Sequence, residues 1–194
     1  MMTKKDAIVE AATRLFAAKG FNETSTAEVA REAGVAQGTL FYHFKTKEGI
    51  MLEAFHSMME TYLAGLEQAA AKAPTGLAGV EAILRYHFLF TEKNSQRFLV
   101  VLRDFPFFFA NSDPATREQV RGRILRSVGI LRSALERGRG DGSIRAEVEA
   151  EPTAHLLRGL MHGLVRQKLL GPLEIPVGVN EAIAFCRQAL APAG

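Results

Sequence analysis

The sequence predicts an all-α protein of about nine helices, with a three-helix N-terminal head carrying a helix-turn-helix and a larger helical body. Three observations predict it. Apolar residues recur at helical spacing from end to end, and no segment alternates with the period of a strand. The residues that start and stop helices (Ser, Thr and Asp ahead, Gly and Pro behind) fall between the periodic stretches.

Taken in order, the first helix is expected from about Lys4 to Lys19. Thr3 caps it with Asp6 in the capping-box position, Ile8, Ala12, Leu15 and Phe16 share one face, and Gly20 stops it. Ser25 opens a second capping box with Glu28, and Val29, Ala30 and Ala33 form the inner face of a short helix. Gly34-Val35 turns the chain into a third helix, about Ala36 to His43. Thr46 caps a long fourth helix that fades into Ala69–Ala73 before Pro74. A fifth runs from Leu77 to about Lys93, and a short sixth around Arg97–Asp104 is interrupted by Pro106. Asp113-Pro114 starts the next, through Val120, Ile124, Val128, Leu131 and Leu135 to the glycines at 138, 140 and 142. Another begins near Pro152 and ends at Gly171-Pro172, and the last spans about Asn180–Ala191.

The 194 residues are 47% hydrophobic with a net charge of +3, which suits a packed protein and argues against disorder. The small basic excess is not in the head, where residues 1–50 hold seven Lys/Arg against six Asp/Glu. Any nucleic-acid reading of the head therefore rests on its motif. Cys186 is the single cysteine, so no intrachain disulfide or cysteine-based metal cluster is available, and a reduced, cytoplasmic setting is expected. No apolar run reaches the 18 residues of a membrane span, and the N-terminus lacks the apolar stretch of a signal peptide.

A helix-turn-helix needs a small residue where its helices cross, a turn glycine and inward apolar anchors. Ala30, Gly34, Val35 and Leu40 supply all of these in the motif at about residues 25–44. The outward face carries Gln37, Thr39 and His43, where base edges would be reached; Gln suits adenine and Thr suits a thymine methyl or a hydrogen bond. Tyr42, Lys47 and the amides of the Thr46-capped helix are placed to hold phosphates.

The run Thr24-Ser25-Thr26-Ala27-Glu28-Val29-Ala30-Arg31-Glu32-Ala33-Gly34-Val35, followed by Gly38-Thr39-Leu40-Phe41-Tyr42-His43-Phe44-Lys45-Thr46-Lys47-Glu48, resembles the signature of the tetracycline-repressor (TetR) family. The match covers about residues 4–60; beyond it, helical plan and length agree. The resemblance implies a homodimer that binds a palindromic double-stranded operator and is released, usually, by a small molecule held in the body. It implies Thr26, Gln37, Gly38, Thr39, Tyr42, His43 and Lys47 as DNA contacts. It also divides the chain into a DNA-binding domain at 1–46 and a ligand-sensing and dimerisation domain at 47–194. Two residues depart from the family pattern: Ala36 stands where Ser is frequent, leaving the third helix without a side-chain cap, and Phe41 stands where Tyr is usual.

In the body, seven of the 13 Phe residues fall between Phe88 and Phe109. Successive helical residues are about 100° apart, so Phe107–Phe109 cannot all enter one core. Some are expected to line a cavity, pack on a neighbour or be exposed; the competing reading is that the set plugs a core around Pro106. The pocket reading names Tyr62, Phe88, Phe98, Leu102, Arg103, Phe105 and Phe108, with Arg103 against an acidic group of a small hydrophobic effector. His155 and His162 are two turns apart, about 10.5 Å along a helix, too far to share a metal, and neither a metal nor a cofactor is expected. Gly159 and Gly163 allow a second helix to approach. With Leu156, Leu160, Leu164, Ile183, Cys186 and Leu190 they predict a symmetric dimer contact; a helix buried in its own subunit is the alternative.

These features predict a ligand-responsive repressor whose fourth helix acts as a lever between reader and body. An all-α enzyme or lipid carrier is the competing reading, but there is no phosphate loop, metal-ligand spacing or nucleophile–base set to support catalysis. An architectural DNA binder would call for a more basic surface.

Overall fold

A computed structural model describes residues 2–172, 174 and 176–192 of the chain. Among them are ten helices and no strand. They are α1 (Lys4–Lys19), α2 (Thr26–Glu32), α3 (Gln37–His43), α4 (Lys47–Lys72), α5 (Gly76–Lys93), α6 (Ser95–Arg103), α7 (Phe105–Asn111), α8 (Pro114–Gly140), α9 (Ala150–Leu170) and α10 (Val179–Leu190). The all-α prediction is met with one helix more than expected. Pro106, read as an interruption, instead stands in the first turn of α7. A proline there removes an N–H that would have no intrahelical acceptor, so it suits a helix start. No helix of the described residues is long and apolar enough to cross a membrane.

The chain divides into two compact units that are discontinuous in sequence. The first is Met1–Glu60 with Asn94–Arg117. Here α1 packs on α2, α3 and α6, and α6 packs on α7, around Ile8, Phe16, Val29, Leu40 and Ile50, all fully buried. Local devices set the ends of these helices. Thr3 and Asp6, and again Ser25 and Glu28, form complete capping boxes. Asp113 accepts from the amides of Ala115 and Thr116 and opens α8.

The second unit is Thr61–Lys93 with Glu118–Gly194. There α5 packs on both α9 and α10, and distant side chains close its loops. Asp141 and Ser143 accept from the amides of Gly76 and Leu77 at the start of α5 (2.7 and 3.1 Å). Arg137 donates to the carbonyls of Ala70, Ala73 and Thr75. Gly76 is pressed against the backbone of Gly138, where an added Cβ would lie 1.9 Å from the Gly138 nitrogen.

Part of the expected dimer face is corrected by this packing. Ile183, Cys186 and Leu190 are buried inside their own chain, and α10 turns Phe185 outward instead, 62% exposed. An amphipathic stripe looks the same in sequence whether it meets its own core or a partner's.

Candidate functional site

The reader is built by a turn whose hydrogen bonds are all local. Gly34 has φ +65°, a left-handed backbone that favours glycine. The Val35 amide donates to Ala30 O at 3.0 Å and the Gly34 amide to Arg31 O at 3.2 Å. This pair is a Schellman motif; it ends α2 and aims α3 away from it. Leu40 and Phe44, both buried, hold α3 to the unit. The opposite face is open: Gln37, Gly38, Phe41 and Tyr42 are exposed, and Thr39 and His43 are half-exposed. Tyr42 is 85% exposed, with its ring edge-on to His43 at 5.2 Å. Phe41, 44% exposed, belongs to this surface, although the sequence reading did not place it among the contacts.

The neighbouring groups are less free. Ala36 offers α3 no side-chain cap, as its identity predicts. Thr26 is half-buried in the first turn of α2. Just beyond it, Glu28 is held down to about pKa 2 by the Lys19 ammonium and by the amide and hydroxyl of Ser25. Lys47, expected on a phosphate, is engaged within the chain. Its ammonium donates to the carbonyls of Phe21 (2.8 Å), Thr24 (2.9 Å) and Asn22 (3.3 Å) and lies 4.4 Å from the centre of the Phe21 ring. Three donors meet three acceptors, so Lys47 ties the start of α4 to the loop before α2. Thr46 caps α4 through the Gly49 amide, as expected.

The residues expected to line one pocket fall in different units. Phe98, Leu102, Arg103, Phe105 and Phe108 belong to the first, Tyr62 and Phe88 to the second. Arg103 is corrected outright: it donates to the carbonyls of Phe16 and Ala17 at the end of α1 and pairs with Asp104 at 2.9 Å. A cation at a helix C-terminus is well placed for the helix dipole and is not waiting for an acid. Phe105 stacks on Phe55 at 4.2 Å and tilts against Phe108, so both serve the core of the first unit. The consecutive phenylalanines do diverge. Phe108 is buried while Phe107 is 66% exposed, and the two line a groove of about 470 Å³ with Phe21, Thr46, Leu52 and Asn111.

The second unit holds a polar cluster that the sequence reading did not assemble. The Tyr62 hydroxyl is 2.8 Å from His87 Nδ1, and His87 Nε2 is 3.3 Å from Met161 O. A carbonyl can only accept, so Nε2 carries the proton and Nδ1 accepts from Tyr62. Both side chains are buried, and Tyr62 sits among the rings of Tyr86 and Phe90. The His162 ring lies 5.2 Å from that of His87. Burial holds the His87 pKa down to about 4 and that of His162 to about 3, with Arg158 pushing both the same way. Burial also lowers the Arg158 pKa and raises that of Tyr62. Arg158 Nε is buried without a hydrogen-bond partner. His155, the other histidine of α9, is exposed and paired with Glu151 instead. No sequence period brings residues 62, 87, 158 and 162 together.

A helix pair joined by a tight glycine turn that presents one polar and aromatic face outward, in a chain with a helical body, defines a helix-turn-helix transcriptional regulator. The comparisons agree. Residues 8–54 match bacterial regulatory proteins of the tetR family, and residues 108–193 match the C-terminal region of BetI-type transcriptional repressors. The chain belongs to the tetR family of bacterial regulatory proteins. It is 23% identical over 167 residues to the fatty acid metabolism regulator protein of Bacillus subtilis (strain 168), covering 86% of this chain and 78% of that one. The solved structure of the fatty acid degradation regulator FadR from Bacillus halodurans matches with a TM-score of 0.80 at 18% identity, over 95% of this chain and 93% of that one. That of AibR in complex with isovaleryl coenzyme A and operator DNA matches at 0.73 and 21%, over 98% and 99%. At these identities the structural likenesses speak for the fold.

Proposed function

We propose that this regulator is a repressor that binds a palindromic operator as a homodimer through α3 and is released by a hydrophobic acyl effector. The reading assigns DNA binding to residues 1–46, and sensing and dimerisation to 47–194. One observation carries it: a short helix anchored by Leu40 and Phe44 leaves Gln37, Gly38, Phe41 and Tyr42 in solvent, and such a face suits a major groove. Thr26, Thr39 and His43 flank that face, while Lys47 supports it from behind. The acyl class follows the relatives, two of which are fatty-acid regulators while AibR is held with an acyl thioester. Helix α4 runs unbroken from Lys47 to Lys72 and contributes to both units, which fits a lever.

The dimer reading draws on α9 and α10. Leu156 is 73% and Phe185 62% exposed, Gly159 and Gly163 lie on the surface, and Leu160 and Leu164 are half-buried beside them. A Cβ added at Gly163 meets nothing within 4 Å in its own chain. Gly163→Leu therefore leaves the monomer's packing alone and blocks only the approach of a second helix. Sedimentation should show dimers for the parent and monomers for the variant; a monomeric parent at micromolar concentration would refute the assembly.

Selection from random duplex DNA tests the whole reading. It should enrich two inverted half-sites about 34–36 Å apart, and an acyl thioester such as palmitoyl coenzyme A should weaken that complex. Binding without sequence enrichment would exclude an operator reader.

A further inference from the structure

Arg158 has a setting that α9 does not need for its own stability. Its Nε is sealed from solvent without a hydrogen-bond partner, and no carboxylate among the described residues acts on its charge. The groups around it are Tyr62, His87 and His162. None of them supplies a negative charge. Tyr62 and His87 already satisfy one another, and the Met161 carbonyl takes the remaining His87 proton. What remains is the half-buried Arg158 cation, its Nε sealed without a partner, and four residues further along the same helix the half-buried imidazole of His162 against the His87 ring.

Sealing that nitrogen costs the protein free energy, because its lost water is replaced by neither an acceptor nor a counter-charge. Other arginines of this unit meet acids, Arg126 with Glu67, Arg132 with Glu136 and Glu151, and Arg187 with Glu81. A guanidinium presents planar, parallel donors that match an oxyanion in two contacts. Hydrophobic effectors that carry an acid offer such a group at one end of an apolar chain.

We propose that Arg158 and His162 form the anchor for an oxyanion, carboxylate or phosphate, on the hydrophobic effector of this protein, with the Tyr62–His87 pair as the rigid wall that holds them in place. This deepens the ligand-responsive reading and rests on it. Arg158 thus takes the role that the sequence suggested for Arg103.

The test compares three probes by isothermal titration: palmitate, palmitoyl coenzyme A and the neutral alcohol hexadecanol. The parent should bind at least one of the anionic probes about tenfold or more tightly than hexadecanol, the scale of one charge-assisted contact. The favoured probe identifies the oxyanion as carboxylate or phosphate. Arg158→Met should bring that ratio close to one, and Arg158→Lys should retain part of it. Without ligand, Arg158→Met should melt about 2–4 °C higher, because it removes an uncompensated charge while keeping the apolar stem. A structural role predicts a lower melting temperature instead. Should Arg158→Met fold poorly, His162→Phe carries the same test of the ratio. The anchor is refuted if the parent binds hexadecanol as well as either anion, if it binds none of the three, or if the ratio survives in the variants. Operator release separates the two readings. An anion held through Arg158 that leaves operator affinity unchanged refutes the switch and keeps the anchor; release that is equal in the parent and Arg158→Met does the reverse.

Discussion

Helix α3 offers Gln37, Gly38, Phe41 and Tyr42 to solvent from positions within six residues of one another, whereas the cluster around Arg158 draws its groups from α4, α5 and α9. The first surface is oriented by bonds spanning a few residues: the Schellman turn at Gly34 and the capping box at Ser25. The second depends on contacts such as Tyr62 with His87 and His87 with Met161, 25 and 74 residues apart. The difference teaches that a reader of DNA can be specified locally, because water stabilises its polar groups until the partner arrives. A buried polar cluster has no such reserve and must be assembled by the whole unit.

Two glycines expose that contrast most sharply. Gly76 lies against the Gly138 backbone, which cannot give way as a flexible side chain would. Gly76→Ala should destabilise the second unit by about 3 kcal/mol, the upper range for overpacking, read as a lowered denaturant midpoint. Stability equal to the parent would mean the α5–α8 approach is looser than described.

Acid should act next most strongly, and on the cluster. His87 and His162 have folded-state pKa values near 4 and 3, below the ordinary value near 6.5. The unfolded chain therefore takes up protons first. The contribution of the neutral histidines is complete above about pH 6.5 and is lost as pH falls through about 4 and then 3. Each histidine adds up to about 1.4 kcal/mol per pH unit to the slope across that interval. His162→Phe should flatten the dependence of melting temperature on pH between 6.5 and 4, while Gln37→Ala should leave it unchanged.

The reader should show the opposite profile, large in binding and silent in stability. Gln37→Ala or Thr39→Ala should weaken operator binding by about 1–3 kcal/mol and relax preference at one base position. Melting temperature should stay within a degree or so of the parent, since surface changes seldom exceed about 0.5 kcal/mol. Variants that bind the operator like the parent would remove α3 from the interface.

Gly34→Ala tests the turn itself. A Cβ there meets nothing within 4 Å, so the cost is only that of a left-handed alanine, about 1–2 kcal/mol. Fluorescence of an operator-bound dye should report weaker binding together with a modest loss of stability. The smallest effect is expected for Thr46→Ala, which removes the Gly49 cap of α4 and about 1 kcal/mol by thermal melting.

The sequence by itself determined the helices and the reader, because both are written in short-range chemistry. The capping boxes at Thr3 and Ser25, the Gly34 turn, the Thr46 cap and the Asp113 start each need only neighbours in the chain. The α7 helix was hidden because proline at position 106 reads equally as a stop and as a first-turn residue. Tertiary structure decided where charges and apolar faces are satisfied. Lys47 and Arg103 look like free cations in sequence, and backbone carbonyls of other segments claim them. Ile183, Cys186 and Leu190 look like a dimer stripe, and the chain's own core takes them. Arg158 looks like any surface arginine at its place in α9; only the packing of Tyr62, His87 and His162 around it leaves its charge unanswered. Short-range hydrogen bonds depend on residue order, but desolvation depends on everything within a few ångströms, and only the folded chain specifies that.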